Sequence, residues 1–412
     1  MLRFESVRIG DLGKVITGKT PKTEESENFG SDHMFIGPAD LHKHFFIKKS
    51  EKMISDKGLA TIKSSSLNGL SILVGCIGWD MGNVGVVEGR CATNQQINSI
   101  TNIKNKYNPL YIYYCLKTKK DFLFKRASVT RTPILNKTDF SNIRINLPEE
   151  KHTQDKVVDV LVAIDKKIEL NNRINAELEA MVKTLYDYWF VQFDFPDTNG
   201  KPYKTSGGKM VYNPTLKREI PEGWNATHLA KITPVSNQSV NPADYPDKLF
   251  RHFSIPVYDS TNTFGLEAGE TIGSNKFTVK ENDILVSKLN PWFSRVIYAM
   301  EEEDLICSTE FVVWRTPNSN IKNFLYMVAT SSQFIAHCTQ SATGTSNSHK
   351  RVNPGVMMRF PVPFNLEVAK ALGEKLDPMI KKIIINQREN TGLARLRDWL
   401  LPMLMNGQVT VI

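Results

Sequence analysis

The sequence is short of cysteine and has no long apolar run. Its five cysteines are odd in number, widely spaced over 412 residues and never arranged as CxxC, which argues against a disulfide framework or a structural zinc site. The most apolar run, residues 157–164, contains Asp159 and is far too short to cross a bilayer. The opening residues lack the apolar stretch of a secretory signal. We therefore expect reduced thiols, no membrane association and a cytoplasmic location.

Residue clusters that would support catalysis or metal binding are also scarce. No Ser-His-Asp grouping or carboxylate cluster has a suggestive spacing, and the acidic run 301–304 is expected to be a solvated turn. The pair His42 and His44 has no acidic or cysteine partner at ligand spacing, which favours a surface loop over a metal site. The sequence thus predicts no catalytic residue, no metal and no cofactor in this chain.

Three short segments imitate enzyme motifs. Residues 13–20 match GxxxxGK[ST], the phosphate-binding loop of many NTPases. That loop must open a helix, whereas Pro21 and a polar run follow here. NPLY (108–111) and NPWF (290–293) resemble the NPP[FY] tetrapeptide of amino-methyltransferases but lack its second proline. We expect the first to start a helix and the second to be a turn between strands.

The net charge of +9 is unevenly distributed. Residues 1–147 contain 22 Lys and Arg against 13 Asp and Glu, whereas residues 221–364 contain 12 against 13. A positive surplus favours a polyanionic partner such as nucleic acid. That inference applies directly to the first region only, so the second would need local cations such as Lys350 and Arg351 or a basic partner.

An internal repeat is the strongest feature of the sequence. KKIELNNRINAEL (166–178) and KKIIINQRENTGL (381–393) align without a gap, with seven identical pairs. Alternating spacings of four and three predict two long amphipathic helices, although two core helices of a globular domain would show the same pattern. The first predicted seam is Val157, Leu161, Ile164, Ile168, Asn171, Asn175, Leu178, Val182, Leu185 and Trp189. The second is Leu372, Leu376, Met379, Ile383, Asn386, Asn390, Leu393, Arg397, Leu400 and Leu404.

Two consecutive asparagines interrupt each seam. A buried asparagine weakens a seam unless it meets another polar group, and it therefore fixes register. We expect the helices to pair antiparallel, with Asn171 facing Asn390 and Asn175 facing Asn386. Pro378 should kink or restart the second helix.

Each long helix follows a similar run of short elements. In the first half, strands are predicted at 72–77, 84–88 and 97–100, a helix pair within 107–127 and a Pro-flanked strand at 143–148. The second half has the same order within 282–364, and a polar, turn-rich segment (194–224) joins the halves.

At these residues the chain resembles the specificity subunits of type I restriction-modification systems over nearly its whole length. The similarity is carried by GKTPKTEESENFGSDHMFIGPADL (18–41), GRCATNQQINSI (89–100), ICSTEFVVWR (306–315), the connector GKPYKTSGGKMVYNPTLKREIPEGW (200–224) and the two helical blocks. The order of these segments is more specific than any one of them.

The resemblance implies an α+β fold. Two target-recognition domains, each a small curved β-sheet with flanking helices, would be separated by two long antiparallel coiled-coil helices in a pseudo-twofold arrangement. The matching boundaries are 1–147 for the first domain, 148–192 for the first spacer helix, 193–220 for a linker, 221–364 for the second domain and 365–407 for the second spacer helix.

The resemblance also implies a non-catalytic reader of double-stranded DNA. Each domain would recognise half of a bipartite, gapped target. Two methyltransferase subunits carrying S-adenosylmethionine would dock on the helices, and restriction subunits that hydrolyse ATP would join the complex. The predicted seam, roughly 48 Å long at about 1.5 Å per residue, would set the readers more than one DNA turn apart. The alternative is a helical adaptor that presents two domains to protein partners instead of DNA.

DNA readers need cations for phosphates and amide or guanidinium groups for base edges. The segments 125–132 and 341–351 are favoured because they are basic and rich in small polar residues. For Asn94 and Gln95, bonding to strand-end backbone is an equal alternative. The candidates in the first domain are Lys14, Lys19, Thr20, Lys22, Arg90, Asn94, Gln95, Gln96, Arg126, Thr130 and Arg131. Those in the second are Arg251, Ser287, Lys288, Asn290, Thr343, Thr345, Asn347, His349, Lys350 and Arg351.

Overall fold

The chain divides into two compact units. The computed structural model describes residues 3–42, 45–129, 131–316, 319–344 and 349–411. Unit 1 comprises residues 1–168 and 393–412, and unit 2 comprises residues 169–392. Each unit therefore combines one of the regions predicted as a domain with parts of both long helices. Within the described ranges, no helix combines the length and apolar composition that a membrane span requires.

Unit 1 contains two four-stranded sheets, two two-stranded sheets and a set of short helices. Its strands are β1 Phe4–Arg8, β2 Lys14–Thr17, β3 Phe29–Ile36, β4 Lys52–Ile54, β5 Ser66–Leu67, β6 Ser71–Gly75, β7 Val84–Val87, β8 Cys91–Thr93, β9 Ile97–Thr101, β10 Ser128–Val129, β11 Pro133–Ile134 and β12 Arg144–Pro148. Its helices are α1 Ile9–Leu12, α2 Asp56–Thr61, α3 Pro109–Lys117, α4 Lys120–Arg126, α5 Lys137–Asn142 and the start of α6 Lys151–Tyr186. The two-stranded sheets pair β1 with β12 and β10 with β11.

Unit 2 repeats this series of elements. Its strands are β13 Met210–Asn213, β14 Arg218–Pro221, β15 Asn225–His228, β16 Val235–Ser236, β17 Ser239–Val240, β18 Leu249–Phe253, β19 Gly265–Ala268, β20 Lys276–Thr278, β21 Asp283–Ser287, β22 Val296–Tyr298, β23 Leu305–Cys307, β24 Phe311–Arg315 and β25 Pro361–Phe364. Its helices are α7 Leu229–Ile232, α8 Ile255–Thr261, α9 Lys322–Thr330, α10 Ser332–Gln340, α11 Pro354–Met357 and most of α12 Leu366–Met405.

The two larger sheets of each unit have matching topologies, except that the second sheet of unit 2 has one additional strand, β17. One antiparallel sheet has the order β2-β9-β6-β7 in unit 1 and β16-β24-β21-β22 in unit 2. The other is β4-β3-β8-β5 in unit 1 and β17-β20-β23-β18-β19 in unit 2. Each second sheet contains one parallel pair, β3 with β8 and β18 with β23. The internal repeat therefore includes the sheets as well as the long helices.

The predicted strands and helix pairs are confirmed, with bounds shifted by a few residues. The central strands β6 and β21 are buried along their whole length, as expected for strands covered on both faces. The predictions missed the short strand β8, because its parallel partner β3 lies far earlier in the chain. Such a pairing leaves no local pattern.

The two long helices are continuous. Helix α6 ends in a π-helical turn at Asp187–Val191, and α12 runs without a break through Pro378. Of the two effects expected of Pro378, a kink or a restart of the helix, the restart was therefore wrong. Leu372, Leu376 and Ile380 on either side of the proline are at most 1% exposed, so their packing against unit 2 offsets the amide donor that proline lacks.

The asparagine layers lie inside unit 2 and have the expected partners. Asn171 Nδ2 donates to Asn390 Oδ1 at 2.9 Å, and Asn386 Nδ2 donates to Asn175 Oδ1 at 2.8 Å. Asn175 Nδ2 also donates to the Ile383 carbonyl at 3.3 Å. These bonds require the antiparallel register that the sequence predicted.

The segment that joins the halves is more structured than its composition suggested. Strands β13 and β14 form an antiparallel hairpin, and Phe195 and Trp224 stack at 5.1 Å between ring centroids within the unit 2 core. Arg218 lies 4.5 Å from the centroid of the Phe193 ring. This segment therefore packs as part of unit 2.

Candidate functional site

A short hairpin in unit 1 contains the favoured segment 125–132. Strands β10 and β11 pair antiparallel. The Gly78 amide donates to the Pro133 carbonyl at 3.0 Å, and the Leu135 amide donates to the Cys76 carbonyl at 2.9 Å. These bonds fix the hairpin to the end of β6. Gly78 has a φ of +104°, which favours glycine at this point.

The turn of this hairpin presents a cation to solvent. Arg131 is exposed, and within the described ranges no hydrogen bond or ion pair holds its guanidinium. Thr130 lies outside the described residues. An exposed arginine in a short hairpin anchored at both ends is suited to a phosphate or base-edge contact.

In unit 2 the described parts of the segment 341–351 have the same backbone hydrogen-bond pattern. Thr343 and Arg351 exchange backbone hydrogen bonds of 3.0 and 2.8 Å. The Asn290 amide donates to the Lys350 carbonyl at 2.7 Å, and the Val352 amide donates to the Lys288 carbonyl at 3.0 Å. Asn290, with a φ of +48°, occupies the place of Gly78. The structure thus brings together candidates that lie far apart in the sequence.

The segment contains three other candidates, His349, Thr345 and Asn347. His349 is exposed beside Lys350. Thr345 and Asn347 lie outside the described residues.

Beside each hairpin, a turn presents exposed aromatic side chains that the sequence analysis missed. Trp79, between β6 and β7, is 70% exposed, and Trp292 and Phe293, between β21 and β22, are 39% and 58% exposed. A patch of exposed aromatic side chains can mark an interaction site. Their shared place in the two units indicates one contact surface in each unit: an aromatic turn with its neighbouring hairpin.

Polar contacts hold both aromatic turns. In unit 1, Lys120 Nζ donates to Asp80 Oδ1 at 2.6 Å, and this hydrogen bond lowers the pKa of the Asp80 carboxyl. In unit 2, Arg295 forms two hydrogen bonds of 2.6 and 2.8 Å with Asp259 and lies 4.6 Å from the centroid of the Phe293 ring. These contacts favour a fixed conformation of each turn, so the aromatic groups need little further ordering on binding.

The candidates near Gln95 form a second polar group in unit 1. Thr20 Oγ1 donates to Gln95 Oε1 at 2.7 Å, and Asn94 Nδ2 donates to Gln96 Oε1 at 2.9 Å. The Cys76 amide donates to the Gln96 carbonyl at 2.7 Å, beside the hairpin anchor. Gln95 is exposed, whereas Asn94 and Gln96 brace the turn that carries it.

The glycine of the NTPase-like segment has a packing function. A Cβ atom on Gly18 would lie 2.0 Å from the Asn94 carbonyl oxygen, so only glycine allows this approach. Residues 18–22, which follow β2, have no regular secondary structure. The helix that a phosphate-binding loop requires is missing at this place.

The remaining candidates in the first domain are surface cations. Lys14 and Lys19 are exposed. Lys22 pairs with Glu25 at 3.3 Å, and Arg90 lies 3.8 Å from Asp56. The Arg126 guanidinium lies 5.3 Å from the Phe122 ring centroid. Weak surface pairs of this kind leave a cation available to a phosphate.

Two candidates in the second domain are buried. Ser287 is 3% exposed, and its hydroxyl donates to the Leu289 carbonyl at 3.1 Å. Asn290 is 8% exposed, and its Oδ1 accepts from the Lys350 amide at 3.0 Å. Their positions correct the expectation of direct contact, because both side chains serve to hold the turn and hairpin together.

Carboxylates hold the two arginine candidates of unit 2. Arg351 Nε and Nη2 donate to Glu310 at 2.9 and 3.1 Å. Arg251 Nε lies 3.1 Å from Glu302, which also pairs with Arg388. The sequence suggested that the acidic run 301–304 is a solvated turn. Glu302 instead pairs with Arg251 of β18 and Arg388 of α12, so it links a strand to the helix. Arg251 lies in this cluster and not at the hairpin.

The cysteines lie in the interior, and the described histidine of the predicted surface pair has an acidic neighbour. All five thiols are unpaired and buried, and burial raises the pKa of Cys76 to about 12. His42 pairs with Asp80 at 2.9 Å, and His44 lies outside the described residues. Among the described residues, no group of three or more His, Cys, Asp or Glu side chains is placed to hold a metal.

Comparisons with known proteins agree with these features. Residues 1–180 match the family model of the type I restriction modification DNA specificity domain. The chain is 26% identical to the type I restriction enzyme MjaIX specificity subunit of Methanocaldococcus jannaschii, covering 98% of this chain and 93% of the relative. It is 23% identical to the MjaVIII specificity subunit of the same organism over 99% and 93%.

A solved structure has the same fold. The crystal structure of the type I restriction-modification S subunit from M. genitalium superposes with a TM-score of 0.66 at 14% identity, covering 98% of this chain and 96% of that one. The repeated arrangement of sheets and long helices is therefore that of a known fold.

Proposed function

We propose that this chain, which is similar to the specificity subunits of type I restriction-modification systems, is itself such a subunit and reads a bipartite double-stranded DNA target, with one half read by each unit. The observation that carries this proposal is the recurrence of the same contact surface, a hairpin beside an aromatic turn, at equivalent places in both units. The chain itself is non-catalytic. Two related surfaces on one chain suit a target with two separate halves.

The chemistry of each surface suits DNA. Arg131 and Lys350 supply cations for phosphates, and Gln95, with its neighbouring Thr20, supplies an amide that can bond to a base edge. Trp79 and Trp292 can pack against sugars or unstacked bases. Sequence-specific binding needs such polar and apolar contacts together.

Helices α6 and α12 would dock the partner subunits. Both carry large apolar side chains on their exposed faces, which a second protein would cover. These residues are Leu170, Met181, Ile385, Leu396 and Trp399. We propose that two methyltransferase subunits, which would bind S-adenosylmethionine, cover them and that restriction subunits, which would hydrolyse ATP, join the resulting complex in the cytoplasm.

A methylation experiment tests this proposal. The full chain is co-expressed with a type I methyltransferase subunit from the same host, and modified adenines are mapped by single-molecule sequencing of the cellular DNA. We expect one motif with two specified halves and an unspecified gap. Replacing residues 129–132 with Gly and Ser should relax the half read by unit 1 and leave the other half unchanged.

Two outcomes would contradict the proposal. A continuous motif would show that the units do not read separate halves. Co-purification with the methyltransferase without any methylated motif would favour the adaptor function instead.

A further inference from the structure

A buried polar layer joins α6, α12 and α3 in unit 1. The Tyr114 hydroxyl donates to Asp165 Oδ2 at 2.6 Å, and Arg397 Nη1 donates to Asp165 Oδ1 at 2.7 Å. The Asp165 side chain is 4% exposed and that of Arg397 is 17% exposed. Burial alone lowers the pKa of Arg397, but the carboxylates of Asp165 and Asp398 outweigh this effect and raise it. Both oxygens of a buried carboxylate are thus satisfied.

The equivalent layer of unit 2 is apolar. In the alignment that places Lys166 on Lys381, Asp165 corresponds to Ile380, and the same shift relates Arg397 to Val182. Both residues of unit 2 are at most 3% exposed and belong to its hydrophobic core. The repeat therefore differs in chemistry at one buried layer.

The asparagine layers do not determine which helices pair. Because α6 and α12 repeat each other, each could pair antiparallel with the same helix of a second chain. In the observed structure Asn171 faces Asn390, and the residue of α6 that corresponds to Asn390 is Asn175. In an α6–α6 pair, Asn171 of one copy would therefore lie opposite Asn175 of the other. Both amides would find a partner, so these layers fix register in either arrangement.

The polar layer does distinguish the two arrangements. By the same equivalence, an α6–α6 pair would place Asp165 against Val182 of the second copy, and an α12–α12 pair would place Arg397 against Ile380. Each pairing would bury a charge against aliphatic carbon, which is strongly unfavourable. Only α6 with α12 brings Asp165 and Arg397 together.

We propose that the Asp165–Arg397 pair, with Tyr114, selects the pairing of α6 with α12 and excludes assembly of two copies through identical helices. This inference goes beyond the proposed function, since it concerns how one chain keeps two different units. Without the selection, two copies could assemble with two units of one kind on each helix pair.

The test gives unit 1 the apolar composition of unit 2. The full-length variant Tyr114→Phe/Asp165→Ile/Arg397→Val and the wild type are unfolded in urea, refolded at equal concentration and analysed by mass photometry. We expect the wild type to refold almost entirely as a monomer. The fraction of dimer in the refolded variant should be about tenfold higher than the small fraction in the wild type. The control Glu367→Ala/Lys370→Ala removes an exposed ion pair of α12 and should behave as the wild type.

A second variant does not depend on removing the polar layer. Val182→Arg/Ile380→Asp places the same pair of charges in unit 2, so that identical helices could also satisfy their charges. We again expect dimers. A variant that recovers the helical circular dichroism of the wild type but remains monomeric would overturn the proposal.

Cross-linking identifies the helices within any dimer. Copies labelled with ¹⁴N and ¹⁵N are mixed before refolding and treated with an amine-reactive cross-linker. In the shared register, a mixed-label cross-link between Lys167 and Lys183 marks an α6–α6 pair, whereas one between Lys183 and Lys381 marks α6 with α12. Dimers that contain only the second cross-link would also overturn the proposal, because they would show exchange of unlike helices.

Discussion

Units 1 and 2 share one strand order but differ sharply in their charges. The sheet β2-β9-β6-β7 repeats as β16-β24-β21-β22, while the predicted domain of the first half has nine more basic than acidic residues and that of the second has one fewer. Unit 1 buries an Asp–Arg pair at a layer where unit 2 buries Val182 and Ile380. The comparison teaches that the pattern of buried positions specifies the fold, whereas the chemistry of particular layers and surfaces can diverge.

The largest expected effect comes from breaking the buried pair of unit 1. Asp165→Ala removes the buried partner of Arg397, leaving only the exposed carboxylate of Asp398, and also the acceptor of the Tyr114 hydroxyl, so it should lower the free energy of unfolding of unit 1 by about 3–5 kcal/mol. The matched change in unit 2, Val182→Ala, removes only aliphatic carbon and should cost about 2 kcal/mol. Hydrogen–deuterium exchange of peptides from each unit measures both effects. Equal losses of protection in the two units would contradict the expectation that removing the buried charge costs more than removing aliphatic carbon.

The aromatic turns should affect DNA binding by the next largest amount. In the complex with a methyltransferase subunit, Trp79→Ala should weaken binding to the specific target by about 1–3 kcal/mol, the range measured when stacked aromatics are removed. Trp292→Ala should have a smaller effect because Trp292 is 39% exposed against 70% for Trp79 and Phe293 remains beside it. Fluorescence anisotropy of labelled DNA measures both. Unchanged affinity for both variants would remove the turns from the contact surface.

The difference in how well these features could be predicted has a physical cause. The Asn171–Asn390 pair was predictable because heptad spacing places both residues on one seam. Asp165 lies one residue off its seam and Tyr114 lies on a separate helix, so the partners of Arg397 depend on tertiary packing. Trp79 was missed because a single exposed aromatic has no periodic neighbours. Its proximity to residues 128–134 arises only when the sheet is assembled.

Lys322 in unit 2 provides a third contrast. Lys322 begins helix α9, and Tyr107 lies two residues before helix α3 of unit 1; both residues are 3% exposed. Lys322 Nζ donates to the Glu281 and Ala299 carbonyls and lies 3.5 Å from the Tyr298 ring centroid. Burial lowers its pKa to about 7. Unit 2 therefore contains a buried group that changes charge near neutral pH.

The pH dependence of unit 2 follows from this pKa. Above pH 7 the folded state releases a proton that unfolded Lys322 retains up to about pH 10, so the wild type gains stability with rising pH. Relative to Lys322→Met, the gain between pH 7 and 8.5 should be about 1.5 kcal/mol. Urea denaturation at the two pH values measures it. Tyr107→Phe in unit 1 is the control, and its free energy of unfolding should change with pH as that of the wild type does. If the free energy of unfolding of Lys322→Met changed with pH in parallel with that of the wild type, the lowered pKa of Lys322 would be contradicted.

The smallest predicted effects concern the cations of the two hairpins, and they have opposite signs. Arg131 is exposed without a described partner, so Arg131→Ala should weaken binding to any DNA sequence by about 1 kcal/mol and reduce the salt slope by about 0.9, as for one lost phosphate contact. In unit 2, Glu310 already neutralises Arg351, and Glu310→Gln should release that guanidinium and raise both affinity and salt slope. Anisotropy titrations of the methyltransferase complex at several salt concentrations measure both variants. If Glu310→Gln weakens binding, then Glu310 orients Arg351 for its contact, and the acidic residues of unit 2 belong to its recognition surface.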